Sequence, residues 1–475
     1  MKRRTFFETA SYGAAGLFMA SCSSPKGESK PAGMNASFEK PAYRNSIKPS
    51  FTIGKEKSNN DTIVLAIIGV GGFGSSMTNE ILRVNKNVSI KYICDVDDTR
   101  GGRAILDVEK VQGSKPIRVR DMRKIFDDKD VDAVYIATPQ HWHALATIWA
   151  CQAGKDVYVE KCVSYDIYEG QKMIEAAMKY ERIVQCGMQN RNAGYILQAK
   201  DYINSGELGD LVSVHIRQLD PGPIPFQEKQ ETNIPDTIDW DLWLGPAPKV
   251  PYSISRNKSW GYYWDYSGGL AMANGIIHQL DMTRLILNNP DFPKSAYCTG
   301  GRYFFDDGRE IPDYQMATFD YGKFVMTLET GQCTPYMAAA SNEVRYGGGF
   351  PDWSQNASLV MILGTKRMMY VGRMGAGWQV FDKNGEIAAQ QTGYFPLEAH
   401  LEDFFDCIRS RKQPNANIIE GHKSSVITHL ANMSYRMGCK QLLFDPETES
   451  ILNDADANKL ISREYRKGFE IPAQV

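Results

Sequence analysis

The sequence predicts a two-domain chain: an α/β domain on a doubly wound parallel sheet, then an α+β domain with a mostly antiparallel sheet. Three observations predict it. An unbroken apolar run, Ile63 to Ile68, stands directly before the glycine cluster Gly69-Val-Gly71-Gly72-Phe73-Gly74, and an amphipathic stretch follows. Apolar runs and helical stretches then alternate as far as Gly187, which implies right-handed crossovers between parallel strands. From Leu211 onward the runs alternate apolar with polar residues and are joined by tight turns, the pattern of an antiparallel sheet with one packed face.

The first apolar run reads as a strand buried on both faces. In the turn after it, Gly69 allows the tight bend, Gly71 lets a pyrophosphate approach the backbone, and Gly74 lets helix and strand pack closely. The helix that follows turns free N–H groups and the positive end of its dipole toward phosphate. Ser89 to Cys94 is a second strand, and Asp95 stands at its end, where a carboxylate can hold a ribose diol. Asp95 favours NAD because it repels a 2′-phosphate; Arg100 lies close enough to keep NADP open. Helices are expected over Arg100–Val111, Met122–Phe126, His141–Ala153 and Tyr165–Tyr180, with strands at Asp132–Thr138, Asp156–Glu160 and Arg182–Gly187. Ligands of such sheets bind outside the carboxyl ends of the strands. That rule gathers Thr138, Pro139, His141, His143, Glu160, Lys161, Gln189, Asn190 and Arg191 around one crevice with the glycine turn.

The 475 residues suit two domains, and 54 basic against 56 acidic residues leave a net charge of -2. Such a balance exerts no general pull on nucleic acid. Nine cysteines occur without a C-x-x-C pair, so neither zinc nor dithiol chemistry is legible. His141 and His143 form an H-x-H pair with no third ligand nearby, and no metal is expected. Residues 1–22 read as an export signal. Arg3-Arg4 before a mild apolar stretch, Tyr12 to Met19, resembles a twin-arginine leader, and Met19-Ala-Ser-Cys22 resembles a lipobox with Cys22 as a candidate lipid anchor. Residues 23–60, rich in Ser, Pro, Lys, Gly, Glu and Asn, read as a linker or an arm draped over the surface. The expected address is therefore exported: periplasmic or membrane-anchored as a lipoprotein.

Several motifs together resemble the Gfo/Idh/MocA oxidoreductases, in the exported bacterial branch. They are Gly69 to Gly74, Ala137-Thr-Pro-Gln-His-Trp-His143, Glu160-Lys161, Gly187-Met-Gln-Asn-Arg191, Asp239-Trp-Asp-Leu-Trp-Leu-Gly-Pro-Ala-Pro248, Gly268-Gly269, His400 to Arg411 and Gly421 to Lys440. The resemblance runs from residue 61 to residue 450. It implies a Rossmann domain over 61–190, a substrate and oligomerisation domain over 191–450 with helices returning to the junction, and a tail over 451–475. It also implies homo-oligomer formation through the free face of the second sheet. Two departures stand out. The family's Glu-Lys-Pro is here Glu160-Lys161-Cys162, which should keep the lysine but loosen its turn. The Asp four residues before the family's histidine is here Asn274, and an amide cannot take a proton as a carboxylate can.

On that resemblance Lys161 hydrogen-bonds the substrate hydroxyl and touches the nicotinamide ribose; by position alone it is equally a lysine capping a strand end. His278, on an expected helix Ala273–Leu287 with Asp281 and Arg284, is the base that takes the hydroxyl proton; a buried structural histidine is the alternative. Asn274 is the third candidate of that catalytic set. Gln189 suits the cofactor, and Asn190 and Arg191 suit substrate hydroxyls, or the three form a hinge. Trp264 and Tyr266, among aromatics that also include Tyr262 and Tyr263, suit the apolar face of a sugar or an internal interface; Asp281 completes the candidate substrate set. In the second domain, strands are expected over Leu211–Leu219, Tyr297–Phe305, Gln315–Asp320, Lys323–Glu329, Leu359–Gly364 and Arg367–Val371, with helices over Pro396–Arg411 and Gly421–Met437. The implied activity is NAD(P)-dependent oxidation of a sugar or polyol carbinol. An exported enzyme of this kind must carry its cofactor bound and recycle it. That leaves NAD-dependent glycoside cleavage through a transient keto sugar as an alternative, and a non-catalytic sugar-binding lipoprotein as a second.

Overall fold

The apolar run Ile63–Ile68 forms β1, and all its residues except Val64 are buried. The protein is described by a computed structural model over residues 40, 41, 43, 44, 61–84, 86–222, 226, 229 and 233–475. β1 lies inside a six-stranded sheet with β2 (Val88–Cys94), β3 (Ile117–Val119), β4 (Ala133–Ile136), β5 (Asp156–Val159) and β6 (Val184–Cys186), in the order β3-β2-β1-β4-β5-β6. Every pairing in it is parallel. The strand order reverses between β1 and β4, which opens a crevice at their carboxyl ends.

Helices cover both faces. The expected helix over Tyr165–Tyr180 runs from Ile167 to Lys179 because Asp166 caps it, accepting the Glu169 N–H at 2.8 Å while the Glu169 carboxylate accepts the Tyr165 N–H at 2.9 Å; such reciprocal bonds satisfy two orphan donors. This helix and His143–Gln152 pack on the face made by Ala66, Ile68, Val134 and Val157. The opposite face, with Leu65, Ile67, Tyr135 and Tyr158, is closed by Gly72–Val84, Gly102–Gln112 and by Leu397–Ser410 through Leu401, Phe404, Phe405 and Ile408. That last helix, expected to buttress the junction, completes the core of the first domain. The C-terminal residues do likewise on the other face, where Phe469, Ile471 and Val475 join the core and the Phe469 ring stands edge-on to Trp142 at 5.6 Å.

The second sheet has ten strands. In chain order they are β7 (Leu211–Leu219), β8 (Ser295–Gly301), β9 (Tyr314–Asp320), β10 (Val325–Gly331), β11 (Ser358–Gly364), β12 (Met368–Gly372), β13 (Trp378–Phe381), β14 (Ile387–Gln391), β15 (Leu442–Asp445) and β16 (Ser450–Ile451). The spatial order is β14-β13-β12-β11-β7-β10-β9-β8-β15-β16. Only β7 and β10 pair in parallel. The strand expected over Tyr297–Phe305 starts earlier and stops at Gly301. The Asp313 carboxylate accepts the N–H groups of Tyr303, Phe304 and Phe305, which takes them out of the ladder. One sheet face packs on Ile276, Leu280, Ile427 and Leu430; the other carries Val212, Tyr297, Met316 and Val325, all exposed.

The expected continuous helix Ala273–Leu287 is instead two pieces. A π-helical turn, Leu270–Gly275, precedes the α-helix Ile277–Ile286. The expected export signal, its Cys22 and most of the arm fall outside the described residues. Of the arm, Tyr43 is buried with its hydroxyl on Glu449, and the Arg44 guanidinium lies over the Phe292 ring.

Candidate active site

The glycine turn is built as its spacing predicts. Gly69 has φ +86°, and a Cβ there would lie 2.7 Å from the Ala137 carbonyl group; a Cβ on Gly74 would lie 1.9 Å from the Gly69 oxygen. These two are glycine because protein atoms crowd them. Gly71 and Gly72 have nothing within 4 Å of where a Cβ would stand, so the space beside them is left to a ligand. A cavity of about 300 Å³ opens there, lined by Gly69, Gly71, Gly72, Phe73, Gly74, Asp95, Thr138 and Pro139, and also by Trp142, Trp243, Lys258 and Trp260. Trp142 and Trp243 belong to motifs noted above; Lys258 and Trp260 came without a sequence signal. Each Asp95 oxygen accepts one backbone N–H, from Val70 at 2.9 Å and from Asp97 at 3.0 Å, which leaves lone pairs for a diol. Burial raises its carboxyl above the usual range against those N–H bonds. The cations of this corner are committed: Arg100 and Lys258 to Asp97 at 3.6 and 4.0 Å, Arg120 to Asp98. The donor set therefore fits an unphosphorylated ribose, and the open glycine pair fits a diphosphate.

The two kinds of glycine give a test. Gly71→Val is expected to leave the melting temperature of cofactor-free protein within about 2 °C, an ordinary surface effect, while dinucleotide binding weakens at least tenfold. Gly74→Val should lower both. Equal melting losses in the two variants would contradict the assignment.

Lys161 lies two residues beyond β5, and its ammonium donates to the Asn274 carbonyl at 3.2 Å. Burial pushes the ammonium below the ordinary lysine value, opposed by Glu160 and helped by Arg373. The Glu160 carboxylate accepts the Tyr135 hydroxyl at 2.7 Å, and burial raises it. His278, in the first turn of Ile277–Ile286, is 5 % exposed, and its Nδ1 has no partner among the described residues. Burial first, then the Arg373 and Lys161 charges, hold it well below the ordinary histidine value, so the ring is neutral near pH 7. A lysine from the first domain and an imidazole from the second thus act on one another.

Asn274 itself departs from expectation. Its amide nitrogen donates to Gln140 Oε1 at 3.0 Å and to the Ser267 carbonyl at 3.3 Å, and its Oδ1 accepts the Cys162 N–H at 3.4 Å. Both ends are occupied by protein, so its side chain does not reach reacting atoms; its carbonyl, turned out by the π-helical turn, positions Lys161. The two departures from the family pattern therefore touch. A proline at position 162 would have no N–H to give, and the expected loosening of the turn is not seen: Cys162 is buried with Sγ 3.2 Å from Ser425 Oγ. The Lys161–Cys162 peptide is cis.

Other expected site residues face the protein. Arg191 and Asp281, expected to touch substrate, meet each other at 2.8 Å with side chains 1 % exposed, and Glu420 lies 3.5 Å from the same guanidinium. His141 sits among Trp243 and Tyr266 with Nε2 3.0 Å from the Trp243 carbonyl, and burial pushes it down to about 3. Tyr266 is fully buried there, so these two form an aromatic core rather than a ligand wall. Trp264 stacks on Tyr435 with Arg436 over its ring. His143 spans the carbonyls of Cys162 and Thr138 at 2.8 and 2.9 Å, and burial lowers it to about 4. The ring stands between the loops that carry Thr138 and Lys161, and in its neutral form it donates to one of the two carbonyls. By contrast Thr138 Oγ1, Gln189 Oε1 and Asn190 Oδ1, like His278 Nδ1, are buried without a partner among the described residues. Buried polar atoms are nearly always paired, so these four remain free to bind a polar ligand.

An open glycine corner, an acid at the end of β2 and a lysine facing an imidazole across two domains define a dinucleotide-binding chain of the two-domain dehydrogenase kind. Family comparison agrees. The oxidoreductase family model for an NAD-binding Rossmann fold matches residues 63–188, and that for the family's C-terminal α/β domain matches 200–296 and 370–471. The chain belongs to the Gfo/Idh/MocA oxidoreductase family. Among curated relatives, inositol 2-dehydrogenase of Salmonella typhimurium is 31 % identical over 166 residues, 34 % of this chain and 48 % of that protein. A glycosyl hydrolase family 109 protein of Shewanella pealeana is 27 % identical over 217 residues, 45 % of this chain and 44 % of that protein. The chain thus matches about half the length of each. The myo-inositol dehydrogenase of Lactobacillus casei, solved with NAD(H) and myo-inositol, superposes with TM-score 0.57 at 15 % identity over 81 % of this chain and 97 % of that one, a likeness of fold.

Proposed function

We propose that the protein is an NAD-dependent oxidoreductase acting on the CH–OH group of a sugar or polyol, with its cofactor kept bound and recycled. The observation that carries this reading is the Lys161 ammonium acting on a His278 imidazole that has no Nδ1 partner among the described residues, beside a corner shaped for a dinucleotide. Bound nicotinamide supplies an acceptor for the hydride of the carbinol carbon. The residues handle the proton. Neutral His278 takes it from the hydroxyl, while the Lys161 ammonium, steadied by the Asn274 carbonyl, donates to the same oxygen and eases its ionisation. Asp95 and its committed cations favour NAD over NADP. Export by the Arg3-Arg4 leader, anchoring at Cys22 and pairing of copies through the exposed face of the second sheet belong to the same reading.

The full-length holoprotein mixed with a panel of sugars and polyols should show its bound nicotinamide reduced by at least one of them, with carbonyl product two hydrogens lighter accumulating once a second carbonyl compound is supplied to take the hydride back. A panel left wholly unchanged overturns the reading. A second reading, glycoside cleavage through a keto sugar, is favoured by the glycosyl hydrolase relative. Release of aglycone from aryl glycosides without added NAD would select it.

The pH profile follows from the shifted groups. The His278 value is depressed, so its neutral form persists as pH falls through the ordinary histidine value, about 6.5. The Lys161 value is depressed too, so its protonated form is lost as pH rises, before the ordinary lysine value is reached. The kcat/KM profile should therefore be flat on its acid side to about pH 6 and fall early on its alkaline side. An acid limb centred on the ordinary histidine value would contradict it.

A further inference from the structure

Arg373 follows β12 in a loop whose backbone is held firmly: its carbonyl accepts from Asn190 Nδ2 at 2.8 Å and from the Tyr195 hydroxyl at 2.9 Å. Its Nε is buried and has no hydrogen-bond partner among the described residues. The residue as a whole is only partly buried. The fully buried arginines each have a carboxylate: Arg191 at 2.8 Å, Arg284 at 3.0 Å, Arg309 at 2.7 Å, Arg409 at 4.0 Å and Arg411 at 2.6 Å. Among the described residues none stands within 4.0 Å of Arg373. Burial, with Arg345 adding to it, pushes its guanidinium down to about 10. Arg345 is near enough for its charge to lower the Arg373 value; its guanidinium lies over the Phe395 ring, 5.1 Å from the centroid, and has no ion-pair partner among the described residues. The Arg373 charge bears on both Lys161 and His278, which places it beside the reacting end of the site. A dinucleotide diphosphate is not its counter-charge, because the glycine cavity is lined by neither arginine. A partly buried guanidinium with no counter-charge can take one from a ligand, and its planar fork matches a carboxylate or phosphate in two parallel bonds.

We infer that Arg373, with Arg345 beside it, holds an anionic substituent of the substrate, a carboxylate or a phosphate, so that the sugar oxidised is an acidic one. This rests on the sugar-carbinol reading above and narrows it. A neutral polyol would leave the Arg373 guanidinium without a counter-charge.

The test compares a hexuronate, a hexose 6-phosphate and the parent hexose, in the gluco and galacto series, on the full-length holoprotein. Steady-state kinetics and calorimetric binding are read together. One acid should exceed its neutral parent at least tenfold in kcat/KM and in affinity; the uronate winning names a carboxylate, the hexose phosphate a phosphate. Arg373→Gln should cut the ratio of acid to neutral at least tenfold, mainly through KM, with Arg373→Lys recovering part of it. Arg345→Gln should erode the same ratio and stands in if Arg373→Gln does not fold. Turnover of neutral sugars with no advantage for either acid overturns the inference and leaves the proposed function standing. Arg373-dependent binding of an acid without turnover of any sugar does the reverse. An acid-to-neutral ratio unmoved by both arginine variants, or no binding of any acid, also overturns it.

Discussion

Replacing Lys161 with methionine is expected to lower kcat by about 10³-fold, within the range for losing a positioned proton-handling group. The substitution keeps the length of the side chain and removes only the charge and its donors. Lys161 makes no ion pair among the described residues, and the one hydrogen bond of its ammonium there goes to the Asn274 carbonyl; the lost bond should cost about 1–3 kcal/mol. The fold should therefore survive while turnover does not, a separation read by steady-state kinetics beside a thermal melt of the same preparation. A fall in kcat under tenfold would remove Lys161 from the reacting set. His278→Ala should cost a similar factor, and the two losses should not multiply, because both groups serve one oxygen.

The largest expected effect on stability is at the junction. Asp281 accepts three bonds from two nitrogens of Arg191 and one from Ser424 Oγ at 2.7 Å, and Glu420 bridges Arg191 to Arg284. Asp281→Ala leaves Arg191 buried with only a 3.5 Å contact to Glu420, and breaking a buried pair from one side costs about 3–5 kcal/mol. Urea denaturation of the full chain should show that loss. The double variant Asp281→Leu, Arg191→Met should recover much of it, since a packed apolar pair can replace a buried ionic one. A loss below about 1 kcal/mol would mean the pair is hydrated rather than buried. His278 shares the helix Ile277–Ile286 with Asp281, so activity should fall with temperature sooner in Asp281→Ala than in the parent.

The first sheet was legible because parallel strands are buried on both faces and read as plain apolar runs, and because the glycine turn is a local motif. Leu211–Leu219 was legible to the residue, since half-buried strands alternate. What stayed hidden depends on distant parts of the chain. Nothing local in Leu397–Ser410 tells that it closes the face of a sheet formed by residues far ahead of it. Arg191 and Asp281 looked like substrate ligands because polar side chains near a crevice read alike whether they face it or each other. The π-helical turn is invisible to a period of 3.6, and it reassigned Asn274 from reacting group to support for Lys161. Arg373 stands in a short glycine-bearing loop with no motif around it. Only its lack of a counter-charge sets it apart, and that is a property of packing.

A crystal structure of the full-length protein with NAD tests the central claim most directly. The account predicts the diphosphate across Gly71 and Gly72, the adenosine ribose on Asp95, and the nicotinamide ring in contact with Lys161 and beside His278. A dinucleotide bound elsewhere, or a nicotinamide ring turned away from both side chains, would contradict it.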